Sequence, residues 1–255
     1  MRIFCIFFLM ALFCFVRSAL TQEIVLGLSK NEIGITAFFD GSEILVFGAI
    51  KATDELISNE PLGVVVTIAS PLLPVMVRRK EKRFGIWVNV DAVEIDLAPN
   101  FYAVATTAAF SQVVDPVSDL RHSISMERMI RSVGAPMTVD DPDAFAEALI
   151  RIRQDQGLYK ALPGAVTLQD NTLFSTSVTL PANLVEGAYT ARIFLTQDGN
   201  VIARKETTID VRKVGIERWL YNLAHQHPAT YGLLSLAIAI FAGWSAAAVF
   251  RVIRA

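Results

Sequence analysis

The longest apolar run lies near the end of the chain, where residues 228–250 form a largely apolar stretch of 23 residues without a charge. A helix rises about 1.5 Å per residue, so a helix over this run is longer than the ~30 Å hydrocarbon core of a bilayer. The pattern therefore predicts one C-terminal transmembrane helix over 228–250, followed by a short tail over 251–255.

Small residues recur at every fourth position of this run, which places them on one face of the predicted helix. Lipid provides no hydrophobic force between helices, so small residues favour association by letting two backbones approach closely. The alternative, that small residues are simply common in membrane helices, stays open. The candidate helix-packing residues are Ser235, Ala239, Gly243 and Ala247.

A second apolar run, residues 3–16, follows a single basic residue at the N-terminus. It is too short to span a bilayer, but it has the length of the apolar part of a secretory signal. We expect a signal peptide over 1–19, with cleavage after Ser18 or Ala19. An uncleaved signal anchor is the alternative, because Arg17 lies unfavourably close to the cleavage site.

Between the two runs, short stretches rich in Val, Ile, Phe and Thr alternate with turn residues. This pattern favours strands, and their spacing favours a mainly β fold with an immunoglobulin-like β-sandwich. We interpret Trp87 as a core residue of one such strand, and Gly187-x-Tyr189 as similar to a tyrosine corner. Strands are predicted at 23–28, 34–39, 43–50, 63–69, 75–79, 85–89, 102–107, 174–180, 187–197 and 201–211.

Helical spacing interrupts the β pattern in the middle of the chain, at 123–133 and 142–156, after a connector over 111–121. In the second segment Phe145, Leu149 and Ile152 share one face. The predicted organisation is a β-sandwich lobe over 20–110, a helical insert over 111–160, a second, smaller β lobe over 161–213 and a juxtamembrane helix over 214–227.

A cluster of basic residues lies between two predicted strands, and it contains Arg78, Arg79, Lys80, Lys82 and Arg83 around one acidic residue. These five are candidate contacts for an anion or for anionic lipid headgroups. The alternative is a solvated hairpin whose charges prevent edge-to-edge association of sheets.

Charge and cysteine content limit the partners, disulfides and metal sites that can be expected of this chain. Residues 20–228 carry 25 acidic and 19 basic side chains, a net charge of −6, which argues against nucleic acid as a partner. Cys5 and Cys14 both lie in the predicted signal peptide, so the mature chain has no disulfide or thiolate. His225 and His227 have no third ligand nearby, and we predict neither a metal nor a cofactor.

No catalytic motif is found in the sequence. His122 precedes Ser123 and Ser125, but proximity in sequence is not a triad, and the chain has no G-x-S-x-G motif. We therefore predict that the protein is not an enzyme.

A hydrolase that uses carboxylates is the third hypothesis for function. Asp91, Glu94 and Asp96 lie close together in sequence and could perform acid–base work. Solvated loop charges explain the three residues more simply.

Arg251 and Arg254 follow the predicted transmembrane helix directly. By the positive-inside rule they place the C-terminus in the cytoplasm, and the predicted signal peptide independently places the N-terminal part outside. We expect a single-pass protein of the bacterial inner membrane, with its ectodomain in the periplasm.

Several short motifs together resemble the alpha-proteobacterial putative transmembrane protein family, over most of the mature chain. The resemblance implies no catalytic residues, and family members look like genomic neighbours of sulfite-exporter-type transporters. The motifs are residues 77–80 (VRRK), 85–89 (GIWVN) and 99–105 (PNFYAVA), Gly187-x-Tyr189, Pro228, Tyr231-Gly232 and Gly243-Trp244.

These observations predict a non-enzymatic accessory or interaction module for a membrane partner, such as a transporter of small anions. The expected contacts are the lipid bilayer, and either that transporter or a second copy of the chain through the transmembrane helix. The alternative is a ligand-binding or sensing periplasmic ectodomain, in which the basic hairpin meets an anion or a cell-envelope component.

Overall fold

A computed structural model of the protein describes residues 23–35, 39, 41–51, 61–131, 141–213 and 216–253. The predicted signal peptide over 1–19 and Arg254 lie outside these residues. The described strands are β1 (Glu23–Leu28), β2 (Glu32–Ile35), β3 (Ser42–Lys51), β4 (Leu62–Ala69), β5 (Leu72–Arg83), β6 (Ile86–Pro99), β7 (Tyr102–Thr106), β8 (Tyr159–Pro163), β9 (Thr167–Gln169), β10 (Leu173–Leu180), β11 (Gly187–Gln197) and β12 (Asn200–Lys213). The described helices are α1 (Phe110–Val113), α2 (Pro116–His122), α3 (Met126–Met129), α4 (Asp143–Asp155), α5 (Ile216–Gln226) and α6 (Pro228–Ile253).

The strands form two larger sheets that share one hydrophobic core. One sheet has the order β1-β3-β10-β9 and the other β2-β12-β11-β4-β7-β8. Alternating residues of both sheets meet in a single cluster, which includes Ile44 and Phe174 from the first sheet and Val66 and Ile193 from the second. The prediction of a mainly β fold is confirmed.

The division into a full lobe and a smaller lobe differs from what the structure contains. β10 pairs with β3 and β11 pairs with β4, so strands from 20–110 and from 161–213 lie side by side in both sheets. The later strands could not bury both faces on their own, and they complete the sheets that the earlier strands begin.

The strand order is compatible with the predicted immunoglobulin-like arrangement, which runs A-B-E-D in one sheet and G-F-C in the other. Tyr189 is buried, and its hydroxyl donates a hydrogen bond of 2.9 Å to the backbone carbonyl of Val185. A tyrosine corner forms such a bond to the backbone a few residues upstream. The finer assignment stays a prediction.

The helical insert covers the other face of the six-stranded sheet. β4 is buried on both sides, because Val64 and Val66 face the shared core while Val65 faces a second cluster. This second cluster joins the sheet to the insert through Ile124 and Ile150. A strand covered on both faces is hydrophobic at every position rather than at alternate ones.

The first part of the insert differs from the sequence prediction. The expected connector over 111–121 is largely covered by α1 and α2, while the described part of the expected helix over 123–133, residues 123–131, has only the single turn of α3. Ser123 has a left-handed backbone (φ 51°) that ends α2, and the Ser125 side chain caps α3. The later helix, α4, agrees with its prediction, although Ile152 is exposed on it.

β5 and β6 form a separate two-stranded sheet that belongs to neither larger sheet. Its base packs on α4, where Val75 and Ile95 meet Leu149. The register shifts by one residue between Arg79 and Lys80, and beyond that point the hairpin has no buried residue. The two strands are much longer than the segments 75–79 and 85–89 that the sequence predicted.

α5 and α6 are joined by helical hydrogen bonding across Pro228. The amide of His227 donates to the Leu223 carbonyl and that of Tyr231 to the His227 carbonyl, each at 3.1 Å. Over its 26 residues α6 is about 39 Å long. Its segment Pro228–Ala247 has a mean hydropathy of 1.5 and is long and apolar enough to cross a membrane.

Candidate functional site

The four small residues predicted to pack against another helix lie on α6. No residue of the segment Pro228–Ala247 is buried by the rest of the chain. A Cβ atom added at Gly243 would meet nothing within 4 Å, so no contact within the chain requires a glycine there. The Ser235 hydroxyl donates to the carbonyl of Tyr231 at 2.9 Å, which satisfies it inside the helix. The role of this face in packing stays a prediction.

The five basic candidates lie along β5, and all are exposed. Arg79 forms an ion pair with Asp91, and Arg83 forms one with Glu81 at 3.3 Å. Both partners of the Arg83–Glu81 pair are exposed, so this pair contributes little to stability. Arg78, Lys80 and Lys82 have no ion pair within the part of the chain that the structure describes. The cluster therefore presents a positive surface.

Trp87 is not a core residue, in contrast to the sequence interpretation. Its side chain is 68% exposed, and its position in β6 is directly opposite Lys82 in β5. Aromatic residues in strands are usually buried because they lie on a sheet that another layer covers. The outer part of this hairpin has no covering layer, so Trp87 contacts solvent.

The apex of the hairpin is a two-residue turn formed by Phe84 and Gly85, both with positive φ (52° and 85°). Such a type I′ turn favours Asn-Gly or Gly-Gly, since a side chain at the first position strains the backbone. Phe84 is nonetheless fully exposed, at 106%. Phe84 was not among the residues predicted from sequence, although an x-Gly pair between two strands is a signal for the turn.

Replacing Phe84 with asparagine is expected to stabilise the hairpin by about 1 kcal/mol, because asparagine adopts a left-handed backbone with less strain. Amide hydrogen exchange across residues 80–89 measures the effect, since local opening there need not follow global unfolding. Phe84→Ala is the control, because it removes the ring but keeps a strained residue. Equal exchange in the two variants would contradict the prediction.

Arg78 and Arg79 also line a cavity of about 350 Å³ between the base of the hairpin and α4. Arg151 of α4 lies in the same lining, as does Asp141, whose carboxylate accepts a hydrogen bond from the amide of Ala144. The structure thus brings a third arginine to two of the predicted anion contacts. Arg151 could not be assigned to this site from sequence, because it lies about 70 residues away.

Arg192 attaches the helical insert to the six-stranded sheet. It is only 8% exposed, and its guanidinium donates to the carbonyls of His122 (3.0 Å) and Ser123 (2.9 Å). It also donates to the hydroxyls of Tyr102 (3.0 Å) and Thr67 (3.3 Å). Burial raises the pKa of Tyr102 to about 12, so this hydroxyl is protonated and donates onward to the Ile124 carbonyl at 2.6 Å. The network is structural.

His122 lies at the end of α2, and its ring centroid is 5.8 Å from that of Phe194. Burial, with the nearby cations of Arg204, Arg121 and Arg192, holds the pKa of its imidazole below the usual value. The folded state therefore favours the neutral ring, whereas the unfolded chain takes up a proton near pH 6.5. This stabilisation is present above pH 6.5 and is lost as the pH falls towards the folded pKa.

His122→Gln is therefore expected to reduce the loss of stability between pH 7.5 and pH 5. Thermal unfolding of both chains at a series of pH values measures the effect. The difference between the two chains at each pH isolates His122 from other titrating groups. Parallel curves for the two chains would show that His122 does not contribute.

The carboxylates considered for hydrolysis lie in strand β6 rather than in the turn-rich stretch that the sequence suggested. Glu94 and Asp96 are exposed on its outward face, where they alternate with buried Val93 and Ile95. Among the described residues, no group of three or more His, Cys, Asp or Glu side chains is placed to hold a metal ion. His225, one of the two histidines considered as metal ligands from sequence, lies in α5. Its Nδ1 atom is 2.9 Å from the backbone carbonyl of Tyr221, one helical turn earlier.

The sequence profile of a family described as "Putative transmembrane protein (Alph_Pro_TM)" matches residues 23–252. No curated protein matches the chain. Among solved structures, the chain is similar to Spo0M, a sporulation control protein from Bacillus subtilis, with 10% identity and a TM-score of 0.28. The match covers 81% of this chain and 56% of the Spo0M chain. A similarity of this level supports no argument about the present protein.

Proposed function

The chain belongs to the Alph_Pro_TM family of transmembrane proteins, and on that premise we propose that it is a membrane-anchored, non-enzymatic accessory module for a membrane partner. In this proposal α6 crosses the bacterial inner membrane once. The β-sheet domain lies in the periplasm, after removal of residues 1–19, and the C-terminus lies in the cytoplasm.

The observation that carries the proposal is the exposure of α6. A helix that is apolar around its circumference is normally buried, either in a protein core or in a membrane. Here no residue of Pro228–Ala247 is buried by the chain itself, so lipid and other membrane helices are left to cover it. An apolar helix in this state supports a role in the bilayer.

The small-residue face of α6 is the proposed contact with the partner. Ser235, Ala239, Gly243 and Ala247 lie on one face, while the bulky pair Phe241 and Trp244 lies towards the opposite one, with ring centroids 6.4 Å apart. A helix with one narrow and one bulky face favours close approach of a second helix on the narrow side. We propose a transporter of small anions as that second protein.

Crosslinking in native membranes, followed by co-purification in mild detergent, tests this proposal. We expect a membrane protein to be recovered with the wild-type chain and to be lost when Ala239 and Gly243 are replaced with leucine. The control replaces Ala237 and Ser245, small residues on the other side of α6, with leucine. Recovery of the chain alone, or equal loss in both variants, would count against the proposed face.

The second candidate function is an anion-binding ectodomain, and it is favoured by the cavity that Arg78, Arg79 and Arg151 line. A cavity of about 350 Å³ with three arginines in its lining suits a small oxyanion, since arginine donates paired hydrogen bonds to such groups, although Arg79 is also paired with Asp91. Asp141 at the same cavity opposes an anion, which limits the expected affinity.

Calorimetric titration of the detergent-solubilised full chain with sulfate, at constant ionic strength, tests this second candidate. Binding is expected to disappear in Arg78→Glu/Arg151→Glu. The matched control, Arg128→Glu/Lys205→Glu, reverses two exposed charges elsewhere and is expected to retain binding. Heats that match a chloride titration would exclude the anion site.

A further inference from the structure

The hairpin tip, defined here as residues 80–89, carries an apolar apex at a strained backbone position. Phe84 is fully exposed and has a left-handed backbone, an arrangement that costs about 1–2 kcal/mol for a residue with a side chain. Folding alone favours asparagine or glycine at this position. Backbone strain that does not serve folding is found most often at functional sites, so the apex is a candidate contact.

Each face of the hairpin tip places one apolar and one basic side chain next to the apex. On one face Lys82 is directly opposite Trp87, and on the other Arg83 is opposite Ile86. Trp87 and Ile86 are 68% and 64% exposed, so neither is covered by the basic residue across from it. Lysine and arginine have long apolar stems, which let the charge stay in a polar layer while neighbouring apolar groups enter a nonpolar one.

The hairpin tip extends away from the folded body. The hairpin base packs on α4 through residues up to Val77, and the register shift between Arg79 and Lys80 marks the point where this packing ends. From there to the apex, four residues of extended chain cover about 14 Å. The apex can therefore enter a lipid layer without disturbing the hydrophobic core of the protein.

We propose that the hairpin tip binds the anionic lipid surface of the bilayer in which α6 lies, with Phe84, Ile86 and Trp87 entering the headgroup region. Tryptophan favours the interface between lipid and water, and basic residues are attracted to anionic headgroups. The positive charges of Lys82 and Arg83 therefore match the negative headgroups, and their long side chains keep these charges in the polar layer while the neighbouring apolar side chains enter more deeply. The negative charge of Glu81 opposes this attraction. Its ion pair with Arg83 is exposed and weak, so Arg83 can still attract an anionic headgroup.

The short connection to α6 makes this contact geometrically accessible. β12 ends at Lys213 and α6 begins at Pro228, so 14 residues separate the folded body from the proposed span. Most of them form α5, whose 11 residues are about 16 Å long. A body held this close to a bilayer meets its surface at a high effective concentration, which makes even a weak second contact significant. The inference rests on the proposed membrane anchor for this proximity.

The test uses the full chain with Trp219→Phe and Trp244→Phe, which leaves Trp87 as the only tryptophan. The chain is placed in nanodiscs of phosphatidylglycerol or of phosphatidylcholine, and Trp87 emission and its quenching by brominated lipid are recorded. We expect a shift to shorter wavelength and quenching in phosphatidylglycerol, and water-like emission in phosphatidylcholine. Water-like emission in both lipids would overturn the proposal. The same result is expected if the hairpin tip contacts a protein partner and not lipid.

Variants separate the apex from the charges. Phe84→Asn keeps the turn, so loss of quenching with an intact fold supports insertion of the apex. Lys82→Glu/Arg83→Glu is expected to lose quenching as well, whereas Arg128→Glu/Lys205→Glu, with the same change in net charge, is expected to retain it. Equal quenching in all variants would show that the tip is not the contact.

A second measurement distinguishes failure of this proposal from failure of the anchor. Absence of the chain from the nanodiscs would refute the anchor, independently of the hairpin tip. The chain is then held in amphipol, which covers α6, and its binding to phosphatidylglycerol vesicles is measured by flotation. Lys82→Glu/Arg83→Glu is expected to weaken binding by at least about 25-fold, or about fivefold for each basic residue lost. Because this arm lacks the proximity that the anchor gives, a high vesicle concentration is used, and binding of the variant equal to that of the wild-type chain would overturn the proposal.

Discussion

Replacing Arg192 with methionine is expected to lower the free energy of unfolding by about 3 kcal/mol. The side chain is buried and makes hydrogen bonds to Thr67, Tyr102, His122 and Ser123. Methionine fills similar space but donates nothing, and each buried acceptor left without a partner costs about 1–3 kcal/mol. The hydroxyls can rotate to other partners, so the two carbonyls at the end of α2 account for most of the loss.

The loss is expected to be concentrated in the helical insert. Arg192 lies on β11, Thr67 lies on the neighbouring strand β4 and Tyr102 lies on β7, on the far side of β4, whereas both carbonyls belong to the insert. Without the guanidinium, the end of α2 keeps its apolar contacts with the sheet but loses its polar attachment. Hydrogen exchange is therefore expected to rise in residues 110–130 before it rises in the sheets.

Thermal unfolding of the full chain in detergent measures this prediction. A loss of about 3 kcal/mol corresponds to a fall in Tm of roughly 6–12 °C for a domain of this size. Arg204→Met is the control, since Arg204 lies on the adjacent strand β12 with an exposed side chain. Arg192→Lys is expected to recover only part of the stability, because a single ammonium group cannot bond to all four partners of the guanidinium. A Tm for Arg192→Met equal to that of Arg204→Met would contradict the assigned role.

Two arginines in the middle of α6, at Ile238 and Phe241, are expected to remove the chain from the membrane. Both side chains are exposed, at 60% and 68%, so no core within the chain would be disturbed by the substitutions. An arginine at the centre of a membrane helix costs about 2.5–3.5 kcal/mol for insertion, and two together cost about 6 kcal/mol. This cost is large enough to reverse the insertion of a marginal span.

Alkaline extraction of membranes measures this outcome as the fraction of chain that sediments with lipid. The wild-type chain is expected to sediment, and the double variant is expected to be found in the soluble fraction or degraded. Thr230→Arg is the control, because near the start of the helix an arginine reaches the polar interface at little cost. Retention of the double variant in membranes would show that α6 is not the anchor.

The hairpin illustrates where local pattern was sufficient and where it was not. The cluster from Arg78 to Arg83 was apparent in the sequence, and the structure places all five basic residues on one exposed strand. The exposure of Trp87 was not predictable, because strand propensity is the same for a covered and an uncovered sheet. Whether a layer covers a hairpin depends on residues far away in the chain.

The helical insert shows the same limit at a shorter distance. Asp115 caps α2 and is followed by Pro116 at its first position, a signal that the sequence contained. The sequence pattern nevertheless predicts a connector, because Pro116 and several polar turn formers lie in this segment. In the structure Val117 and Leu120 of α2 are exposed. Its attachment depends on Arg192, which lies about 70 residues later, and no local pattern predicts that pairing.

By itself, the sequence determined the class of the fold and the existence of an apolar helix long enough to cross a membrane. Both follow from periodicity and length, which act within a few turns or strands. Only the tertiary structure decided that the two β regions share their sheets, because β10 meets β3 across more than 120 residues. It also decided that three arginines meet at one cavity and that Phe84 stands at an uncovered apex, since contact and exposure are properties of the assembled chain.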